Sequence, residues 1–342
     1  MALDAAVRGV GHTSPNPAVG AVIVRDGQVL ATGFHRFAGG PHAEIEALHA
    51  LPSAEDARGA TLYVTLEPCS THGRTPPCVE AIVRAGIARV VMGTIDPNPQ
   101  HAGRGAALLR EAGVEVANGP LAEECAALNR PFNHWIVTRQ PWVIAKAGMS
   151  LDGRLTRPPG EGQWLTSEAA RAHAMQLRAH VDAILIGGGT LRSDNPRLTI
   201  RGVAGFEQKQ PWRIIMSRSG ALPENAYVFT DAHRDRTLVF KDRALPEVLA
   251  ELGEREITSV LIEGGGVVLG EAFDARHVHE VHFYVAPLIC GGRDVIGGRG
   301  AGATAESIAL TGARYERIGE DLHVTGLCTG APAYSAGGGS VL

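Results

Sequence analysis

The chain of 342 residues has few cysteines, few aromatic residues and no block rich in lysine or arginine. Five cysteines are too few, and odd in number, for a disulfide framework, which favours a reducing compartment. A net charge of −4 with 5% aromatics deprives a polyanion such as DNA or tRNA of its main source of affinity. No stretch has the apolar length of a transmembrane helix, and charges within the first eight residues leave no signal-peptide core. We therefore expect a cytoplasmic protein that acts on a small molecule, with no nucleic acid and no membrane as partner.

The length indicates two domains, because 342 residues exceed what one hydrophobic core usually supports. The boundary is expected where Pro131 and Pro141 interrupt the pattern. This gives a first domain over residues 1–138, a second over 139–330 and a disordered, glycine-rich tail over 331–342.

Apolar runs typical of strands alternate with helical spacing in both halves. In the first half they predict strands at 21–24, 61–66 and 89–95, and helices at 42–51, 79–85 and 105–112. In the second half they predict strands at 142–149, 183–186, 214–216, 238–240, 260–262 and 281–289, and helices at 167–179 (with a capping box at its start) and 267–273. This alternation is typical of layered α/β domains with parallel strand pairs, which open to ligands at the strand ends.

One imidazole, one carboxylate and two thiols occur in an order that suits a zinc-activated water. His42 and Glu44 lie two residues apart, and two later cysteines, Cys69 and Cys78, each follow a proline. The order matches the H-x-E…P-C-x-x-C signature of the zinc deaminases of nucleobases. A catalytic zinc takes three protein ligands and holds a water whose pKa falls to about 7. We assign His42, Cys69 and Cys78 as ligands, and Glu44 as the catalytic carboxylate that moves the water's proton.

The spacing of the thiols departs from that signature, because eight residues separate Cys69 from Cys78. Cys78 opens an apolar helical pattern, and the dipole of a helix favours a thiolate in its first turn. Taken singly, each residue is more often an ordinary buried cysteine or core histidine. The complete set, with Glu44 in place, favours the metal site.

Further segments narrow the interpretation. They are residues 13–20 (TSPNPAVG), 33–35 (GFH), 41–44 (PHAE), 63–69 (YVTLEPC), the insert to residue 78, and 96–99 (DPNP). Together they resemble the bifunctional deaminase–reductase family of riboflavin biosynthesis, and the resemblance extends over roughly residues 1–327. It implies an α/β protein with a cytidine-deaminase-like three-layer N-terminal domain and a dihydrofolate-reductase-like C-terminal domain. It also implies Zn²⁺ and NADPH as cofactors, and we expect a homo-oligomer.

Two glycine-rich turns follow predicted strands of the second half, at 187–189 and 264–266, and neither fits the G-x-G-x-x-G fingerprint. Glycines at the start of a helix still suit a phosphate, although many such turns bind nothing. The resemblance implies that NADPH runs along the second turn, with contacts from Gly265, Gly266, Val267, Val268, Leu269 and Gly270. It further implies cofactor contacts from Gly148, Trp164, Thr190, Asp194 and Ser217. Around Ser217 the chain departs from the family's usual acidic-then-serine pattern.

The resemblance also assigns substrate contacts and chemistry. In the second domain Arg178, Leu198, Arg201 and Glu263 hold the substrate, as does Gly162, where relatives often carry serine. Lys146 and Asp194 are the polar partners of the reduction, in which NADPH delivers hydride to the opened ribose carbonyl. In the first domain, Asn16 and His35 orient a diaminopyrimidinone ring and Arg74 pairs with the ribose phosphate. For His35 a capping role, and for Arg74 a solvated loop charge, are the alternatives.

Other functions compete with this one. One alternative is a zinc deaminase of another pyrimidine or of a nucleic-acid base, with an inactive or recruiting C-terminal domain. A deaminase of a polynucleotide base whose C-terminal domain recruits the substrate predicts a basic, aromatic-rich surface, which the composition does not favour. A zinc-stabilised scaffold without activity gives no reason for Glu44. The histidines at 277, 279 and 282 resemble a metal cluster, but on a strand they do not share one face. We expect them to be solvated or to lie on an edge strand.

Overall fold

The computed structural model describes residues 1–71, 76–155 and 164–331 of the chain, which divide into two compact units. Among these residues the first unit ends at Arg139 and the second begins at Gln140. The predicted tail lies outside the described residues except for its first position, residue 331. Within the described ranges, no helix has both the length and the apolar character needed to cross a membrane.

The first unit is a five-stranded sheet in the order β2-β1-β3-β4-β5 with helices packed against it. Its elements are α1 (Ala2–Val7), β1 (Gly20–Arg25), β2 (Gln28–Phe34), α2 (Ala43–His49), β3 (Thr61–Leu66), α3 (Cys78–Arg84), β4 (Arg89–Thr94), α4 (Arg104–Glu111), β5 (Glu115–Asn118), α5 (Ala122–Leu128) and α6 (Arg130–Thr138). Strands β3, β4 and β5 pair in parallel, as predicted. Strand β1 is antiparallel to both of its neighbours. Its turn to β2 is Asp26-Gly27, where both residues have positive φ, as the tightest hairpins require.

Close packing of α2 on β2 determines where the unit presents His42. Gly33 in β2 has no side chain, and a Cβ there would lie 2.3 Å from the backbone nitrogen of Ala47 and 2.4 Å from the oxygen of Ala43. Helix α2 therefore rests directly on the sheet. His42 is the residue immediately before that helix, so the packing holds it near the strand ends.

The second unit is an eight-stranded sheet in the order β12-β13-β11-β6-β10-β7-β8-β9. Its elements are β6 (Trp142–Ser150), α7 (Glu168–His180), β7 (Ala183–Gly187), α8 (Gly188–Asp194), β8 (Trp212–Ser217), α9 (Tyr227–Thr230), β9 (Thr237–Lys241), α10 (Leu245–Glu254), β10 (Ser259–Gly264), α11 (Gly266–Asp274), β11 (Glu280–Ala286), β12 (Leu310–Ile318) and β13 (Asp321–Cys328). The strands from β11 to β9 pair in parallel, and β13 is antiparallel to β11 and β12. The predicted cap is confirmed, since Ser167 accepts a hydrogen bond from the N–H of Ala170.

The prediction made at Pro131 is wrong. Pro131 does not interrupt the regular structure but lies in the first turn of α6, which continues to Thr138. A proline costs little there, because the first N–H groups of a helix have no intrahelical partner.

Candidate functional site

The three predicted zinc ligands come together in the first unit. His42 precedes α2, Cys69 follows β3 and Cys78 begins α3. The Nδ1 atom of His42 lies 3.5 Å from Cys69 Sγ and 3.3 Å from Cys78 Sγ. A tetrahedral zinc with ordinary Zn–N and Zn–S bonds separates nitrogen from sulfur by about 3.5 Å. The donor set and its spacing therefore fit zinc.

The two thiols are electrostatically unlike. A hydrogen bond from the Cys78 thiol lowers the pKa of Cys69 to about 4, and His42 acts in the same direction. The backbone N–H of Cys78 also donates to Cys69 Sγ, at 3.3 Å. The hydrogen bond to Cys69, together with burial, raises the pKa of Cys78. Cys69 therefore carries the negative charge of the pair, and binding of a metal by both thiolates would release the proton of Cys78.

Glu44 lies in the first turn of α2, with its side chain buried next to the ligands. Burial raises the pKa of Glu44 to about 7, against the opposing effect of His42. The three-donor group does not include Glu44. A buried carboxyl group beside the three ligand side chains, and outside their set, is placed to accept a proton and return it.

His35 and Asn16 form a fixed pair beside the ligands. The Nδ1 atom of His35 lies 2.9 Å from the carbonyl oxygen of Pro41, so Nδ1 carries the hydrogen and donates it. The other ring nitrogen, Nε2, then accepts from the side-chain amide of Asn16 at 3.2 Å. The rings of His35 and His42 meet edge to face, 5.4 Å apart. Burial lowers the pKa of His35, so its ring is neutral. Arg74, predicted to bind phosphate, lies outside the described residues.

Glu67 is a positioning residue to which the sequence pattern assigned no role. Its buried carboxylate accepts hydrogen bonds from three backbone N–H groups, those of Asp96 (3.2 Å), Gly103 (2.9 Å) and Ala106 (3.0 Å). Since Glu67 stands two residues before Cys69, these bonds fix the end of β3 that carries the ligand. The only local signal is an acidic residue at the end of a buried strand.

The second unit has a cavity of about 920 Å³ at the carboxyl ends of its parallel strands. This cavity is lined by several of the predicted cofactor residues, namely Thr190, Asp194, Ser217, Gly265, Gly266, Val267 and Val268. A Cβ on Gly189, which also lines it, would meet nothing within 4 Å, so the backbone there is open to a ligand. The size of the cavity, and the start of α11 in its wall, fit a dinucleotide with its phosphates at the glycine turn.

A second cavity of about 470 Å³ gathers the predicted substrate residues. It is lined by Lys146, Arg178, Leu198, Arg201 and Glu263, and also by Gly148, Trp164 and Leu269, which were predicted at the cofactor. Thr190, Asp194 and Glu263 line both cavities, so the two adjoin. Gly270 packs on a neighbouring loop, where a Cβ would lie 2.3 Å from the backbone of Gly297. Gly162 lies outside the described residues.

A buried ion pair forms one wall of the smaller cavity. The guanidinium of Arg178 donates to both carboxylate oxygens of Glu263, at 2.7 and 2.6 Å. Burial alone would raise the pKa of Glu263, but Arg178 and Lys146 hold it at about 2. Burial lowers the pKa of Lys146, and Glu263 opposes that effect. The wall thus presents two basic side chains, Arg178 and Lys146, and one carboxylate, Glu263, to a polar substrate.

Tyr284 also lines the smaller cavity, although no feature of the sequence singled it out. It pairs with Gly148 in the sheet, and its hydroxyl lies 2.7 Å from Nδ1 of His173 on α7. Burial raises the pKa of Tyr284, so the hydroxyl stays protonated. Its partner comes from another element, so the sequence could not reveal the pair.

Comparison with known proteins agrees with this arrangement. Residues 1–94 match the zinc-binding region of cytidine and deoxycytidylate deaminases, and residues 141–324 match the RibD C-terminal domain. The chain is 41% identical to the riboflavin biosynthesis protein RibD of Actinobacillus pleuropneumoniae, over 94% of this chain and 92% of that protein. It is 40% identical to RibD of Escherichia coli (strain K12), over 85% of this chain and 87% of the other.

Solved structures give the same result. RibD of Acinetobacter baumannii (form 1) superposes with a TM-score of 0.88 and 34% identity, covering 96% of this chain and 97% of that one. A diaminohydroxyphosphoribosylaminopyrimidine deaminase/5-amino-6-(5-phosphoribosylamino)uracil reductase from Thermotoga maritima superposes with a TM-score of 0.87 and 35% identity, covering 96% of each chain. The predicted fold, a deaminase-type α/β domain followed by a reductase α/β domain, is confirmed. The chain belongs to the RibD family of riboflavin biosynthesis proteins.

Proposed function

We propose that the chain is a bifunctional enzyme of riboflavin biosynthesis with one reaction in each unit. The first unit hydrolytically deaminates 2,5-diamino-6-(5-phosphoribosylamino)pyrimidin-4-one to 5-amino-6-(5-phosphoribosylamino)uracil. The second reduces the ribosyl group of that product to ribityl with NADPH. The observation that carries the proposal is the pairing of a zinc-type donor triad beside a buried Glu44 with two adjoining cavities in the other unit. We assign residues 1–138 to the deaminase and 139–330 to the reductase.

In the deaminase, His42, Cys69 and Cys78 would hold zinc, which when bound supplies an activated water. Glu44 takes the proton of the attacking water, because its buried carboxyl group lies beside the ligands and is not itself one of them. It passes that proton to the ring nitrogen and then assists the departure of ammonia. Neutral His35, held through Pro41 and Asn16, orients the pyrimidine ring beside Glu44.

In the reductase, Thr190, Ser217 and residues 265–268 would hold NADPH, which when bound supplies the hydride. The sugar phosphate of the substrate is bound in the smaller cavity by Arg201 and Arg178, with Glu263 keeping Arg178 in place. Lys146 and Asp194 are the polar partners of the sugar oxygens. Lys146 lies in the smaller cavity and Asp194 lies where the two cavities adjoin.

A small-molecule substrate is consistent with both cavities. The assembly of the chain into a homo-oligomer and its location in the cytoplasm are further parts of the proposal. They rest on the composition and cysteine content of the sequence and on the family to which the chain belongs.

Mass spectrometry of the products formed from the diaminopyrimidinone ribosyl phosphate, with and without NADPH, tests the proposal. We expect exchange of an amine for a carbonyl oxygen without NADPH, and the further gain of two hydrogens with it. Deamination alone would contradict the assignment of the second unit. No change in a zinc-loaded protein would favour the alternative, a deaminase of another pyrimidine or base.

A further inference from the structure

Asn129 is a buried polar residue of the first unit that the proposed deamination does not use. It lies between α5 and α6, and it is 5% exposed. Its Oδ1 atom accepts a hydrogen bond from the N–H of Ala18 at 2.8 Å, and its Nδ2 atom donates to the carbonyl oxygen of Ala18 at 2.9 Å. Both polar atoms of the amide therefore bind one residue, which lies 111 positions earlier in the chain.

Few side chains can bind both backbone groups of one residue. A carboxylate only accepts hydrogen bonds and an aliphatic side chain forms none, whereas an amide presents a donor and an acceptor side by side. Asn129 also stands directly before α6, where an asparagine usually caps the helix, but its side chain makes no capping bond. Pro131, in the first turn of α6, has no N–H to offer it. The side chain is thus committed to Ala18 rather than to its own helix.

The segment that Asn129 holds is short and stiff, and it carries Asn16. Asn16 stands between Pro15 and Pro17, and Ala18 follows directly. Each proline fixes its own φ and restricts the residue before it. A displacement of Ala18 therefore moves Asn16 as well, because little rotation is available between them.

The same segment also holds His35. The N–H of His35 donates to the carbonyl oxygen of Val19 at 2.9 Å, and its Nε2 atom accepts from the amide of Asn16 at 3.2 Å. Further along, Gly20 packs against α1, where a Cβ would lie 2.0 Å from a backbone oxygen of that helix. The clamp by Asn129 and the packing of α1 therefore fix the two residues proposed to orient the pyrimidine ring.

We infer that Asn129 is a positioning residue of the deaminase, which holds Asn16 and, through it, His35 in the orientation that the pyrimidine ring needs. The inference rests on the proposed function, because it presumes that this pair meets the ring. Asn129 acts through the backbone of Ala18 and needs no contact with the substrate.

Ammonia release by the full-length, zinc-loaded protein tests the inference, with the diaminopyrimidinone ribosyl phosphate as substrate and rates normalised to bound zinc. We expect Asn129→Ala to lower kcat/KM for deamination about 10-fold or more, because a misplacement of about 1 Å can cost about 100-fold. Reduction of pre-deaminated substrate should proceed at the wild-type rate. Asn129→Asp keeps the shape of the side chain but loses the donor, so it should act in the same direction.

Asn133→Ala is the matched control. Asn133 is also a buried asparagine of this helix pair, but its Nδ2 atom donates from α6 to the carbonyl oxygen of Ala126 in α5, at 3.1 Å. Its loss should change kcat/KM for deamination by less than about 2-fold, because the position of Asn16 is unaffected.

A double-mutant cycle with Asn16→Ala separates positioning from a general loss of stability. If Asn129 acts through Asn16, adding Asn129→Ala to Asn16→Ala should lower kcat/KM by no more than about 3-fold, since the group that was positioned is already gone. Wild-type kcat/KM in Asn129→Ala, or full multiplication of the two single effects in the double variant, would overturn the inference. Absence of ammonia release by the wild type would instead overturn the proposed deaminase function itself.

Discussion

The replacement Glu263→Gln is expected to destabilise the second unit by about 3 kcal/mol. Arg178 and Glu263 share two short hydrogen bonds, with side chains 11% and 6% exposed. In the variant the guanidinium stays buried, but it has lost its counter-charge. Removing one partner of a buried ion pair is far more costly than removing one of a surface pair, because the remaining charge has left water without compensation.

The magnitude follows from the titration of Glu263. Its pKa falls from 4.5 to about 2 in the folded protein. At 1.36 kcal/mol per pKa unit this difference corresponds to about 3 kcal/mol, at the lower end of the range of about 3–5 kcal/mol for breaking buried pairs. Because the folded pKa lies below the unfolded one, this stabilisation is complete above about pH 5. It is lost as the pH falls towards 2.

Hydrogen exchange followed by mass spectrometry measures this loss within one unit, through the protection of peptides from β6 and β10. Glu251→Gln is the matched control, since Glu251 pairs with Arg255 at 2.8 Å on the surface and its loss should cost less than about 1 kcal/mol. Protection in Glu263→Gln within 1 kcal/mol of the wild type would refute the reasoning. The reasoning would also be refuted if the variant lost protection between pH 5 and 3 to the same extent as the wild type.

Three other variants test the remaining structure. Glu67→Ala leaves three backbone N–H groups behind Cys69 without their acceptor, and zinc affinity measured by chelator competition should fall about 10- to 100-fold; wild-type affinity would remove Glu67 from any positioning role. Gly33→Ala places a Cβ 2.3 Å from the backbone nitrogen of Ala47, so we expect reduced zinc content after purification. Full zinc occupancy in this variant would mean that α2 can shift without disturbing the site. Tyr284→Phe should lower kcat of the reductase and leave kcat of the deaminase unchanged; equal effects on both would contradict its place in the smaller cavity.

The metal site was predictable from the sequence because its chemistry restricts the residue types. Few sites other than a zinc site require an imidazole, a carboxylate and two thiols in this order along the chain. The structure brings His42, Cys69 and Cys78 within ligand distance of one another. Strands with dense apolar runs, such as β3 and β10, were also predicted. Strand β12 was not, since most of its side chains are exposed and no apolar pattern marks it.

Residues whose roles depend on distant partners could not be predicted. His279 was expected on a solvated or edge strand, but its Nδ1 accepts from the N–H of Val143 and its ring stacks on Trp142 at 4.5 Å. The Nδ1 atom of His282 lies 3.1 Å from Nε2 of His323. The edge-strand prediction is wrong because β11 pairs with β6 on one side and β13 on the other. Spacing along the chain reveals which residues share a strand, but not which strands lie beside it.

The central claim, that the two reactions occur at two independent sites, is tested most directly by Glu44→Gln. Ammonia release from the diaminopyrimidinone substrate and NADPH-dependent reduction of pre-deaminated substrate are measured on the same zinc-loaded preparation. We predict that ammonia release is abolished while reduction proceeds at the wild-type rate. Loss of both activities together, with zinc content and fold unchanged, would contradict the division of the chemistry between the units.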